Sequence, residues 1–217
     1  MNIGEMMKKF LLMSIGWMLL TQLAFAGDPA SKVFPLSKSR FAVVHNGQEK
    51  IVDLSGQDYI VVSLREEGAD GIAYAIDRDG VVWWAASISS GAKGHETPSG
   101  IFPIFRKERF YMSKAHPDPK GINNMDFSLW FTSQGHAIHM GNDDGMSHGC
   151  IHVGKKGAAT MFKWAKKGTK VVVTREHYLP FVYYDLRKSG YKESKVKKGY
   201  IKQYLKTMKP VKPHMPE

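Results

Sequence analysis

The chain contains one cysteine, Cys150, in the run Ser147-His148-Gly149-Cys150-Ile151. A lone cysteine closes no intramolecular disulfide, so the fold must be held by a buried apolar core without covalent staples. The thiol left over is either an inert buried side chain or a reactive one. Its setting favours reactivity, because glycine precedes it and histidines stand at His136, His139, His148 and His152. Thiol chemistry needs a thiolate, and a thiolate needs a neighbouring base or a positive field. The residues therefore point to Cys150 as a nucleophile.

Residues 1–26 read as a secretory signal peptide. Lys8 and Lys9 supply positive charge, 10–20 is apolar apart from Ser14 and Gly16, and Ala24-Phe25-Ala26 is a small-x-small cleavage site before Gly27. The apolar stretch falls short of the ~20 residues that span a bilayer; the competing reading is an uncleaved membrane anchor. The expected location is the periplasm or the cell surface. About 190 residues follow, enough for one domain with a sizeable core. Lysine and arginine number 31 against 20 acidic residues, a net charge of +11. Such a balance suits an anionic wall polymer or a membrane surface. None of the usual nucleic-acid-binding motifs is present, so nucleic acid is not an expected partner.

Residues 27–57 form an N-terminal segment punctuated by Asp28-Pro29, Pro35, Asn46-Gly47 and Ser55-Gly56, with one short edge strand expected at 41–44. From Tyr59 the pattern becomes that of strands. Residues 59–64, 72–77 and 81–88 read as three, the last two joined by the hairpin turn Arg78-Asp79-Gly80. Val81-Val82-Trp83-Trp84 is the most apolar stretch and predicts a central strand. Pro103 predicts that the strand at 101–105 lies at an edge or carries a bulge. Residues 116–124 read as a lid or binding loop. After the cysteine, Ala158, Met161, Trp164 and Ala165 share one face of a helix expected over 156–167 and ended by Gly168. Lys170 to Thr174 is a β-branched strand. The tail from 176 is basic, and Val196, Tyr200, Tyr204 and Met208 carry a helical spacing.

His139, Ser147, His148, Gly149 and Cys150 occur in the order expected of a thiol acyl-transfer site. Histidine suits the base because its pKa lies near neutrality. Glycine before the cysteine permits a tight turn that leaves backbone N–H groups facing a developing oxyanion. Trp83, Trp84, Trp130 and Phe131 are expected in the core, and His136 at the surface end of a strand.

Here the sequence resembles the L,D-transpeptidase catalytic domain (YkuD-like) family of cell-wall enzymes. Ala137-Ile138-His139-Met140-Gly141 followed by a loop and Ser147-His148-Gly149-Cys150-Ile151 resembles the family signature. Thr97-Pro98-Ser99-Gly100-Ile101-Phe102 resembles its Thr-Pro-x-Gly-x-Phe stretch, and Gly168-Thr169-Lys170-Val171 its closing strand. The resemblance implies a mixed, β-rich β-sandwich domain over 58–175, with a helix after the cysteine and a basic C-terminal extension over 176–217. It implies Cys150 as nucleophile, His139 as general base, His148 in support, the Gly149 backbone in the oxyanion hole, and Ser147 and His152 toward the substrate. The implied reaction is acyl transfer at the diaminopimelate–D-alanine bond of a peptidoglycan tetrapeptide stem. The implied acceptor is a second stem peptide or a lipoprotein amine, and no cofactor is implied.

Two features depart from the family pattern. His152 stands where arginine or asparagine is usual, and the loop from His139 to Ser147 is short. One alternative is an L,D-carboxypeptidase or amidase, in which water replaces the amine. Another is a His/Cys metal-binding protein, since His136, His139, His148, Cys150 and His152 offer five nitrogen and sulfur ligands within about 17 positions. A third is a non-catalytic wall-binding module, against which the intact Cys150 and His139 argue.

Overall fold

A computed structural model describes residues 31–64, 70–114, 123–142 and 145–188. The leader-like residues 1–26, most of the loop at 116–124 and the helical spacing from Val196 lie outside them. Among the described residues the strands form two sheets. The smaller is β1 (Lys32–Pro35), β2 (Arg40–His45) and β3 (Gln48–Asp53), in that order. The larger has nine strands in the order β7-β12-β4-β5-β6-β11-β10-β9-β8. These are β4 (Tyr59–Leu64), β5 (Asp70–Ile76), β6 (Val82–Ser89), β7 (Gly100–Pro103), β8 (Arg106–Glu108), β9 (Ser128–Trp130), β10 (Ala137–Met140), β11 (Ile151–Val153) and β12 (Lys170–Thr174). Helix α1 (Lys155–Trp164) follows β11, and α2 (Leu179–Lys188) follows β12.

Successive strand residues point to opposite faces. Here both faces are covered, which is why β4 is buried at every position and why it reads as a continuous apolar run. On one face Tyr59, Val61, Ile72, Tyr74, Ile76 and Val172 pack with Val33, Phe41 and Val43 of the small sheet and with Tyr178, Leu179 and Val182 at α2. On the other, Ile60, Val62, Ala73, Val171 and Val173 pack with Ile138, Ile151 and Val153 and with Ala158 and Met161 of α1. The result is a β-sandwich with α1 directly after the cysteine, the fold class that the resemblance implies.

Several local expectations hold for identifiable reasons. β6 lies at the centre of the large sheet, and β7, with Pro103, at its edge. The β5–β6 turn is built by the Asp77 carboxylate, which accepts from the N–H groups of Asp79 (3.0 Å) and Val81 (2.9 Å), with Gly80 at φ 77. Helix α1 stops earlier than the periodicity predicts. Residues 166–169 form a turn instead, with Lys166 N–H on Thr169 Oγ1 at 3.0 Å, and Lys107 Nζ reaches the Phe162 and Ala165 carbonyls at 2.7 and 2.5 Å.

One element differs from expectation, and one helix has no counterpart in the sequence reading. β2 is the middle strand of a three-stranded sheet, because it pairs along its length with Gln48–Asp53, a strand too polar and exposed to stand out in the sequence. The aromatic stretch at 178–184 becomes helix α2, and Pro180 sits in its first turn, where the missing N–H has no helical partner to lose.

Candidate active site

The site lies on β10 and β11. These strands run parallel, with Ile138 opposite Ile151 and His139 opposite His152. Ile138 and Ile151 enter the core. By alternation His139 and His152 leave the opposite face, and one register step earlier Ala137 and Cys150 share it. Cys150 packs on Met125, Trp130 and Ala137. Its thiol donates weakly to the Gly135 carbonyl at 3.7 Å. Burial pushes the thiol above its ordinary pKa, partly opposed by the Ala137 N–H that faces it.

His139 is 5 % exposed. Its Nδ1 lies 2.8 Å from the Met140 carbonyl. A carbonyl only accepts, so Nδ1 carries the proton and Nε2 keeps its lone pair. Burial, with a smaller contribution from neighbouring His152, lowers His139 to about 4. The expected nucleophile and the expected base are thus both driven toward their neutral forms.

The turn carrying the cysteine is held from three directions. Ser147 Oγ accepts from Gly149 N–H at 3.0 Å and donates to the Cys150 carbonyl at 2.6 Å. Thr97 Oγ1 donates to the Gly149 carbonyl at 2.9 Å and accepts from Gly91 N–H at 3.1 Å. Arg175, just beyond β12, donates to the Thr97 carbonyl at 3.0 Å. Gly149 has φ 104, and a Cβ there would come within 2.5 Å of the His136 ring. Only glycine meets both conditions.

The expected site residues are therefore placed unequally. Cys150, His139 and His152 come together on one face. The Ser147 side chain is a brace within the turn, since both its hydrogen bonds are internal to it, while its backbone ties the turn to Ser90 and Ala92. The Gly149 N–H, expected in the oxyanion hole, is engaged by Ser147 Oγ; among the described residues no acceptor engages the Cys150 N–H. His148 is exposed, its ring 4.6 Å from that of His95. His136 is not a free surface histidine. Its ring lies over Gly149, Nδ1 is 2.7 Å from Thr132 Oγ1, and burial lowers its pKa. Trp130 is core, as expected, but that part of the core lies beside the thiol. Thr97 is the residue the sequence left without a role; the Thr-Pro-x-Gly stretch was the available signal. Among the described residues no group of three or more histidine, cysteine or acidic side chains is placed to hold a metal ion.

Residues 57–173 match the L,D-transpeptidase catalytic domain family. No curated protein matches the chain. Similar solved structures include an L,D-transpeptidase from Stackebrandtia nassauensis, 20% identical, covering 54% of this chain and 55% of that one with a TM-score of 0.46. An L,D-transpeptidase from Mycobacterium smegmatis is 18% identical and covers 70% of this chain and 80% of that one, with a TM-score of 0.44. One from Enterococcus faecium is 21% identical over 58% of this chain and 55% of that one, with a TM-score of 0.44. The chain thus spans about half the length of the first and third of these proteins.

Proposed function

The chain belongs to the L,D-transpeptidase catalytic domain family, a family of cysteine-dependent enzymes, and from that premise we propose that it transfers acyl groups between peptidoglycan stem peptides through Cys150. The observation that carries the reading is the parallel register of β10 and β11, which sets a buried imidazole of fixed tautomer on the same face as the only thiol.

In this reading His139 Nε2 takes the Cys150 proton as sulfur attacks the carbonyl joining diaminopimelate to the terminal D-alanine. The new C–S bond forms a tetrahedral oxyanion, which the Cys150 N–H would stabilise. Collapse breaks the C–N bond, and the proton on His139 passes to the departing D-alanine amine. The thioester is then attacked by the amine of a second stem or of a lipoprotein, with His139 again moving the proton. Because both partners rest in neutral forms, proton transfer accompanies attack. The place of action is the periplasm or the cell surface, supported by the leader-like residues 1–26.

Intact-mass measurement after mixing with a tetrapeptide muropeptide tests the proposal. The expected product is an adduct on Cys150 that has lost D-alanine, absent from Cys150→Ala. Dimeric muropeptides would mark transpeptidation. Tripeptides alone would assign the water-using alternative, and an adduct persisting in Cys150→Ala would overturn the mechanism.

A further inference from the structure

His152 stands where the family pattern has arginine or asparagine, and its surroundings show what it does there. It leaves the sheet on the same side as His139, directly opposite it in the parallel register. The two rings meet edge to face, centroids 4.8 Å apart at 67°. His152 is itself gripped by the loop that follows β10. A Cβ at Gly141 would come within 2.6 Å of its Cγ and 2.8 Å of its Cδ2, so the ring lies flat against bare backbone. Nδ1 donates to the Asn142 carbonyl at 3.2 Å. Gly141 N–H closes the arrangement by donating to the Val153 carbonyl at 3.1 Å. The loop is tied down further by Ser89, whose Oγ lies 3.0 Å from the Asn142 carbonyl and 2.6 Å from that of Gly145. A ring held on one side by Gly141 and Asn142 and abutting His139 on the other has little freedom to reach a ligand.

We propose that His152 is a positioning residue: it walls the edge of His139 and keeps that ring in the orientation from which Nε2 receives the Cys150 proton. The inference rests on the assignment of His139 as base. A base displaced by about 1 Å loses on the order of 10²-fold in rate, so a wall of this kind acts on the chemical step rather than on substrate affinity.

Among the described residues, the titratable groups on the elements around His139 are few. β11 contributes His152, and the turn before it Cys150. β9 presents Ser128, Leu129 and Trp130, none of them charged. α1 turns Ala158 and Met161 inward. Asp126, whose carbonyl accepts from Met140 N–H, has its carboxylate engaged by Asn124 and by the Tyr111 N–H.

The test compares the full chain with His152→Ala and His152→Phe. Two readouts are followed from pH 3 to 10: single-turnover acylation by the tetrapeptide stem, and alkylation of Cys150 by iodoacetamide. His152→Ala is expected to slow saturated acylation about tenfold while the half-saturating donor concentration stays within about twofold. Water reaching His139 should also move the acid limb of both profiles up toward the ordinary imidazole range. His152→Phe keeps a ring against Gly141 and should restore most of the rate and return the limb. The proposal is overturned if His152→Ala raises the half-saturating concentration at unchanged saturated rate, since that marks a substrate contact. It is equally overturned if His152→Phe behaves like His152→Ala, or if neither variant moves the limb. Alkylation needs no stem peptide. A chain that alkylates but never acylates would therefore refute the proposed reaction and still decide the role of His152.

Discussion

The two faces of strands β4, β5 and β12 carry the same kind of apolar side chain and finish them differently. On the face covered by the small sheet and α2, buried hydroxyls end on backbone carbonyls, Thr174 on that of Val33 and Ser63 on that of Glu176. Tyr59 and Tyr178 both donate to the Lys38 carbonyl, at 2.9 and 2.5 Å, and burial raises Tyr59 to about 12. The Phe41, Tyr59, Tyr74 and Tyr178 rings pack edge-on or stacked. Across the sheet, beyond the layer of Ile138 and Ile151, lie His139 and Cys150, whose protonation states burial shifts. The first arrangement fixes the chain. The second holds the proposed base and nucleophile toward their neutral forms. Burial alone therefore does not mark a site; the chemistry of what is buried does.

The sharpest break in this contrast is His139→Gln. It should lower acylation at pH 7 by about 10²- to 10⁴-fold, the usual contribution of a general base, read as the rate of adduct formation. A loss under about threefold would remove His139 from the base role. The same variant bears on stability. His139 titrates lower folded than unfolded, so the unfolded chain binds the extra proton first, and stability is lost as pH falls from about 6.5 toward 4. Chemical denaturation should show a decline on the order of 3 kcal/mol over that window in the wild type and a flatter profile in His139→Gln. A wild-type stability constant between pH 7 and 4 would contradict the depressed value.

Next in size is Thr97→Val, which removes the donor to the Gly149 carbonyl and the acceptor for Gly91 N–H while keeping the side-chain shape. With two buried backbone groups left unmatched, stability should fall by about 2 kcal/mol, and acylation should slow as well. Lost stability with unchanged acylation would make Thr97 a scaffold residue only. The smallest effect belongs to the opposite face. Tyr178→Phe should lower stability by about 1 kcal/mol and leave acylation as it was, because the Lys38 carbonyl keeps Tyr59. A slowed reaction in Tyr178→Phe would mean that the two faces are coupled.

What the sequence makes legible follows from how local each signal is. The apolar runs of β4, β6 and β12, the Asp77–Gly80 turn and the edge placement signalled by Pro103 depend on neighbouring residues, and the structure repeats them. Cys150 was legible as the proposed nucleophile because it is alone and preceded by glycine. Roles that depend on contacts distant in sequence were not. β2 reads as an edge because its partner β3 is polar, and α2 hides behind Pro180. Thr97 meets the Gly149 carbonyl 52 positions away, and the packing of His136 on Gly149 and of His152 on Gly141 depends on side chains missing from glycine. Nothing in local spacing encodes a missing Cβ that another residue's ring later occupies.

The parallel pairing of β10 with β11 has a consequence for how such a protein can diversify. Sheet hydrogen bonds set the spacing of Cys150 and His139, and the loop from Gly141 to Met146 lies outside that pairing. That loop can lengthen, shorten or change sequence while the strand register holds, provided Gly141 still accommodates the residue at 152. The strand register and the loop are thus separable parts of the fold, and positions 141 and 152 are expected to change together when the loop is exchanged.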